Sequence, residues 1–397
     1  MKYSKSVVIL LALLFVVSIF SSASGAGAGP YRAIVIYQAG IGPSKRAELV
    51  GSVGGIRQKD LSLIKGEAVV LPDKAAATEL AKRPGVLRVD EDIILTATAR
   101  KSSVSQPPQV LPWGVDRIDA DLVWSPPASA NGAGVNVAVI DTGIQLNHPD
   151  LSANIKGGFN AINSHKSAND DNGHGTHVAG TIAGAANTIG VVGVGPSINL
   201  YAVKVLGAGG SGWLSDVIEG LQWAANTHND TDPLNDIQVA NMSFGSSGAN
   251  DSEHDAIIAA NNAGVTLVAA AGNSSGGAVG YPAAYDEVIA VSATTAGDTL
   301  ASFSSVGPEV DLAAPGSNIF STYKRSGYAY LSGTSMASPH VTGSAALVIG
   351  AKGPLTPARV KALLQLTADP LPGLTANQQG AGLVDAEEAV TTTTIVP

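Results

Sequence analysis

Three stretches of the sequence carry side chains able to break bonds. In VAVIDTG an apolar run ends on a carboxylate, Asp141. In DNGHGTHVAGTIAG a glycine-flanked imidazole, His174, enters an Ala/Gly-rich helical segment. In SGTSMASPHVTGSAALV a hydroxyl, Ser335, opens a small-residue helix. A serine hydroxyl is a poor nucleophile near neutral pH, so it needs an imidazole to take its proton. That imidazole in turn needs a carboxylate to fix its tautomer and stabilise its cation. Asp-Thr-Gly also marks enzymes in which two carboxylates share a proton. The tripeptide occurs once here, so a dyad would require a homodimer and would leave His174 and Ser335 without a role.

The elements around these residues read as alternating strands and helices. VNVAVI, INLYAVKVL, IQVANMSF, VTLVAAAG and EVIAVSAT are buried-strand material, while WLSDVIEGLQWAANTH and DSEHDAIIAANNAG have helical periodicity. Such alternation predicts an α/β fold, a parallel sheet sandwiched by helices, over residues 112–390. The carboxyl ends of parallel strands converge on one edge, which permits Asp141, His174 and Ser335 to meet. Ahead of this region, Tyr31 to Thr98 reads as a small α+β unit with Asp73 as a helix N-cap. Residues 99–111 follow as a Pro/Ser-rich linker and the start of a mature chain, and 391–397 form a Thr-rich tail.

Composition narrows the possibilities. The 397 residues are 45% hydrophobic and 14% charged, which suits a folded globular chain. A net charge of −9 and the lack of a basic cluster argue against nucleic-acid binding. MKYSK, the largely apolar run Val7 to Phe20 and small residues after it form a secretory leader, assigned to 1–25 and too short for a membrane span of about 20 residues. The expectation is therefore a secreted, extracellular protein with no membrane contact after the leader is removed. There is no cysteine, so cross-linking has to come from elsewhere, and metal ions are the obvious substitute.

The segments around Asp141, His174 and Ser335, in that order, resemble the three signature segments of the subtilisin family of serine proteases. The similarity runs through nearly all of Pro112 to Val390. It implies Ser335 as nucleophile, His174 as general acid and base, and Asp141 as its orienter. Asn273, in VAAAGNSS, matches the family's oxyanion donor. LGAGGSGW and NMSFGS resemble the two segments that hold an extended peptide between them, which assigns Gly210, Ser211, Gly212 and Gly245 to substrate binding. Matching positions put Leu214, Val217 and Phe244 around an apolar pocket for the residue four before the scissile bond. Ser243 to Gly245, Ala271 to Asn273 (with Gly272) and Gly280 wall an uncharged primary pocket, implying a preference for large apolar residues.

The resemblance also implies a calcium site built from Gln109, Asp150, Asn187 and the carbonyls of Ala185, Ile189 and Val191. Hard oxygen ligands of that number suit Ca2+. A weaker cation site is suggested near Ala283, Tyr285 and Val288. His177 and His340 are expected to be structural. Residues 26–98 resemble the family's ferredoxin-like propeptide, an intramolecular inhibitor and folding chaperone, cut off autocatalytically near Thr98 or Ala99. Together these features imply a monomeric serine endopeptidase of broad specificity acting on proteins and peptides. The alternative, a catalytically silent peptide-binding module on the same fold, is disfavoured because all four catalytic positions are filled.

Overall fold

The computed structural model describes residues 29–97 and 99–394. The expected leader, Thr98 and the last three residues of the tail lie outside them.

The N-terminal unit runs β1 (Tyr31–Tyr37), α1 (Pro43–Gly51), β2 (Ile56–Leu61), β3 (Gly66–Leu71), α2 (Lys74–Ala81) and β4 (Val86–Glu91). Its antiparallel sheet has the order β2-β3-β1-β4, the βαββαβ arrangement of ferredoxin-like units. Asp73 caps α2, its carboxylate accepting from the Ala76 N–H at 2.8 Å. The sequence reading missed β2 because IRQKDL is mostly polar. It is an edge strand with a register shift between Arg57 and Lys59, held by backbone pairing and ion pairs with only Leu61 in the core.

In β1, Ala33, Val35 and Tyr37 pack with Leu49, Val50 and Leu80 beneath the unit's own helices. Ile34 and Ile36 point the other way, into a cluster shared with the rest of the chain. Both faces of this strand are covered, which explains why YRAIVIY is apolar without alternation.

Beyond β4 come β5 (Ile94–Thr96), β6 (Arg100–Val104) and the short helix α3 (Trp113–Arg117). Residues expected to form a linker thus include a strand, β6, paired antiparallel with β16 (Gly327–Ser332), itself hairpin-paired with β15 (Ile319–Tyr323). Ladder bonds use the backbone, so a Ser-rich segment can supply them without an apolar pattern.

The large sheet has seven parallel strands in the order β14 (Leu312–Pro315), β13 (Val288–Thr294), β12 (Thr266–Ala270), β11 (Val239–Met242), β7 (Asn136–Asp141), β9 (Asn199–Lys204) and β8 (Ile155–Asn160). Along β7, Val137 and Val139 face one core with residues of α4 (His174–Ala183) and α7 (Thr334–Lys352). Ala138 and Ile140 face the other, with α5 (Leu214–Thr227) and α6 (Asp251–Asn262). Helix α7 is buried from Thr334 to Ile349, as its small-residue composition allows.

The N-terminal unit lies across α5 and α6. Ile93 O accepts from the Leu214 N–H at 2.8 Å, and the buried Asp92 carboxylate accepts from the Ser215 N–H at 2.9 Å. A segment outside the helix therefore satisfies the free N–H groups of α5, where negative charge is favoured. Arg32 pairs with Asp92 and stacks over Trp213, and Gln222 on α5 accepts from the Leu63 N–H.

Candidate active site

Strand β7 delivers Asp141 to the carboxyl edge of the sheet, and α4 begins at His174 beside it. Both carboxylate oxygens of Asp141 lie 2.9 Å from His174 Nδ1. The close approach depends on Gly175, where a Cβ would stand 2.2 Å from the Gly143 carbonyl and 3.1 Å from Asp141. Asp141 is fully buried and also accepts from the Thr142 N–H at 2.6 Å. Burial alone would lower the His174 pKa, but the adjacent Asp141 charge outweighs it, and the net shift is upward.

The loop that presents His174 is tied down by Asp170, a buried carboxylate that sequence reasoning missed. It accepts from the Thr142 hydroxyl, the N–H groups of Asn172, Gly173 and Thr176, and the Thr176 hydroxyl. An Asp ahead of Asn-Gly-His, in turn-forming surroundings, was the available signal.

Ser335 sits in the first turn of α7. Its hydroxyl donates to the Ser243 carbonyl at 3.0 Å, while the Ser243 hydroxyl donates to the Ser335 carbonyl at 2.9 Å. Among the described residues His174 Nε2 has no hydrogen-bond partner. Asn273 is held by its carboxamide oxygen, which accepts from the Thr334 N–H and hydroxyl at 3.0 and 3.1 Å. That anchoring turns the NH2 end of Asn273 away from Thr334.

Ser335 and Asn273 border a cleft of about 490 Å³, lined also by Phe244, Gly245, Gly272, Gly280 and, beyond the expected set, Ser274, Ala278 and Val279. No charged residue lines it. Ser243 lies beneath Ser335 and Ala271 lies in the core, so neither forms a wall of the cleft.

The chain's own residues 94–97 lie along this cleft. Strand β5 pairs antiparallel with β10 (Ser211–Trp213), aligning Thr96 with Ser211 and Leu95 with Gly212. The Ala97 N–H donates to the Gly210 carbonyl at 2.8 Å, Gly210 having the positive φ of +79° that suits glycine. On the opposite edge, Thr96 and Gly245 exchange two backbone bonds of 3.3 and 3.2 Å. Leu95 is fully buried in the cluster that contains Leu214, Val217 and Phe244. This is strand addition on both sides of one extended segment.

His177 and His340 are fully buried on α4 and α7. His177 Nε2 faces the carbonyls of Ile319 and Ala329, both at 3.1 Å, and therefore carries the proton. Burial lowers their pKa values to about 3 and about 4, so both are neutral and structural.

The residues assigned to calcium also converge. Asp150 is fully buried, yet its partners are neutral: the Val191 N–H at 2.8 Å, the Asn187 amide at 2.7 Å and the Tyr328 hydroxyl at 3.3 Å. Gln109 reaches the Ala185 carbonyl at 2.7 Å. Among the described residues the carbonyls of Ile189 and Val191 accept no hydrogen bond. A buried carboxylate whose partners are all neutral, in a loop with two carbonyls left over, fits a hard cation. The suggested second cation site fits less well, because the Lys361 ammonium already takes the Val288 carbonyl at 3.0 Å, the Asp286 carbonyl at 3.1 Å and Asp311 at 2.8 Å.

Comparison with known proteins agrees with this geometry. Residues 132–382 match the model of the subtilase family, Peptidase_S8. The chain is 45% identical to an alkaline protease of Shouchella clausii over 80% of its own length and 77% of the relative's. It is 48% identical to subtilisin Savinase of Lederbergia lenta over 71% and 99% of the two chains. Against alkaline elastase YaB of Bacillus sp. (strain YaB) the identity is 43%, over 80% and 77%.

Proposed function

The chain belongs to the subtilase family and is a serine endopeptidase, and from that premise we propose that it is secreted, stabilised by calcium and matured by its own active site. The observation that carries the reading is the extended segment 94–97, hydrogen-bonded on both edges of the cleft that Ser335 and Asn273 border.

In the proposed reaction Ser335 Oγ, rotated from the Ser243 carbonyl toward His174, attacks the scissile carbonyl as His174 Nε2 takes its proton. Asp141 holds Nδ1–H and balances the imidazolium. The oxyanion receives hydrogen bonds from the Asn273 amide and the Ser335 N–H. Losing one such side-chain donor costs roughly 10² to 10³ in kcat, a figure that comes from a subtilisin. His174 then protonates the leaving amine as the C–N bond breaks. Water, deprotonated by the same imidazole, hydrolyses the acyl-enzyme and frees Ser335.

With Leu95 in the pocket for the fourth residue before the scissile bond, the bond cut in maturation follows Thr98. Residues 26–98 then act as inhibitor and folding aid. The uncharged cleft supports broad specificity with a preference for large apolar residues. Asp150, Asn187, Gln109 and the carbonyls of Ala185, Ile189 and Val191 would hold Ca2+, which would supply the positive charge missing beside Asp150. Among the described residues no helix is long and apolar enough to cross a membrane.

Expression of the Ser335→Ala chain tests the proposal. It should accumulate as uncut precursor and fail to digest casein, whereas the parent matures and digests it. Maturation of Ser335→Ala without added protease would assign the cut to another enzyme.

A further inference from the structure

Glu253 lies in the first turn of α6 and is fully buried. Asp141, Asp150 and Asp170 each make several hydrogen bonds, but Glu253 Oε1 has no partner among the described residues, and Oε2 has only the Tyr285 hydroxyl at 3.4 Å. No Lys, Arg or His pairs with it there. Such a group is costly to leave unsatisfied, and it calls for an explanation in function.

Its surroundings supply one. Ala256, Ile257 and Ala260, one and two turns along the same buried face, join the cluster that holds Leu95, Leu214, Val217, Phe244 and Tyr285. The same helix end grips the segment leading to Leu95: the Asn250 amide donates to the Glu91 carbonyl at 2.9 Å and the Ser252 hydroxyl to Asp90 at 2.6 Å. Glu253 therefore opens a helix whose buried face joins the same apolar cluster that receives Leu95.

Granted the endopeptidase reading on which this rests, we infer that Glu253 is a specificity determinant of that pocket, and that the mature enzyme accepts Lys or Arg as the fourth residue before the scissile bond. The methylenes of such a side chain lie against Leu214, Val217 and Phe244, and its cationic head reaches the free carboxylate oxygen. Leucine fills the apolar part alone and leaves the acid unsatisfied. A pocket built to bond a donor discriminates more strongly than one that only matches shape.

The preference should depend on pH. In the full-length chain burial pushes the Glu253 carboxyl up to about 8. The charged and titratable groups around it are Asp251, His254 and Asp255 on its own helix, Tyr285 across from it, and Glu287, which holds His254 at 3.0 Å. Arg88, Asp90 and Glu91 face the same helix end from the N-terminal unit and leave with it. Lysine stays charged well above this range, and the titration of His174 acts alike on both peptides, so the Lys/Leu ratio follows Glu253.

The test uses mature enzyme and peptides that differ only at the fourth residue before the cleaved bond, Leu against Lys and Arg. The Lys/Leu ratio of kcat/KM should rise about tenfold from pH 6 to pH 9. It should stay level in Glu253→Gln and favour Leu at both pH values in Glu253→Leu. Equal ratios in all three enzymes would overturn the inference while leaving the endopeptidase intact, whereas no Ser335-dependent cleavage of any peptide would remove the underlying reading instead. Should neither variant fold, Leu95→Lys in the full-length chain poses the same question with Glu253 in place. Its maturation should run at pH 9 and stall at pH 6, and equal slowing at both would overturn the inference.

Discussion

Asp141 and Asp150 sit nine residues apart, one at the end of β7 and one in the loop after it, and both are fully buried. An imidazole answers the first at 2.9 Å, while only neutral donors answer the second. The same side chain in equal burial thus has two opposite needs. Asp141 finds its partner within the chain, in His174. Asp150 finds only neutral partners among the described residues. The contrast teaches that a buried carboxylate is read by its partners and not by its burial.

The largest effect should follow from breaking the first pair. Asp141→Asn keeps the shape but no longer stabilises the imidazolium or fixes its tautomer, so kcat should fall by about 10⁴-fold. Casein or peptide hydrolysis measures it. In the parent enzyme, kcat/KM should climb as His174 loses its proton, with a midpoint above the ordinary imidazole value, because the Asp141 charge holds that proton on. A midpoint at or below the ordinary value would mean the pair is weaker in the mature enzyme than its geometry indicates.

The second pair is tested by stability. With calcium at about 1,000 times its Kd, binding contributes about 4 kcal/mol, or on the order of 10 °C in Tm for a domain of this size. Excess EGTA should therefore lower the Tm of the uncut Ser335→Ala chain by that amount, and Asp150→Ala should abolish the response to calcium. An unchanged melting curve in EGTA would remove the calcium claim and leave Asp150 as an unexplained buried charge.

Much of this was legible in the sequence because the catalytic residues stand where pattern breaks. An apolar strand that stops on Asp, or a helix that opens on Gly-His-Gly, announces a side chain held at a sheet edge. The long core strands and the cap at Asp73 are local chemistry and read well. Strands β2 and β6 did not, because polar edge strands are held by backbone pairing that leaves no periodic mark. Nor did Asp170, whose five hydrogen bonds come from its own turn and from Thr142 after β7, which only the fold brings beside it. Glu253 was hidden for a further reason. On α6 it reads as one more polar residue, and only its burial with an unpartnered oxygen makes it unusual.

A third prediction extends the comparison to the imidazoles. His174 has a carboxylate beside it, whereas His177 and His340 have only carbonyls and are held neutral down to about pH 3 and 4. Below about 6.5 the unfolded chain binds protons that the folded chain cannot. The stability these two residues contribute is present above that value and is lost as pH falls toward their folded pKa values. At pH 5 the loss should be roughly 3 to 4 kcal/mol, seen as a falling Tm of the Ser335→Ala chain below neutrality. A Tm level down to pH 4 would mean that one of these rings is reached by water and charges in place.

The smallest effect concerns Glu253, the buried acid with neither partner, and its sign is opposite. Its carboxyl is pushed up to about 8 by burial, while in the unfolded chain it ionises near its ordinary value of 4.5. Between these limits the folded chain holds a proton that the unfolded chain has released. Its contribution is therefore complete below about pH 4.5 and drains away as pH rises toward 8, beyond which it stays constant. Glutamine at this position has no proton to lose, so the Tm difference between Ser335→Ala and Ser335→Ala/Glu253→Gln should drift with pH. The glutamine chain should gain by roughly 3 kcal/mol or less from pH 5 to pH 8. Removal of calcium should leave that drift unchanged, since Asp150 lies in a different loop and is answered by different groups. A parallel pair of pH curves would mean that Glu253 finds a partner or water in the folded chain, and that the distinction between an answered and an unanswered buried carboxylate fails at its third member.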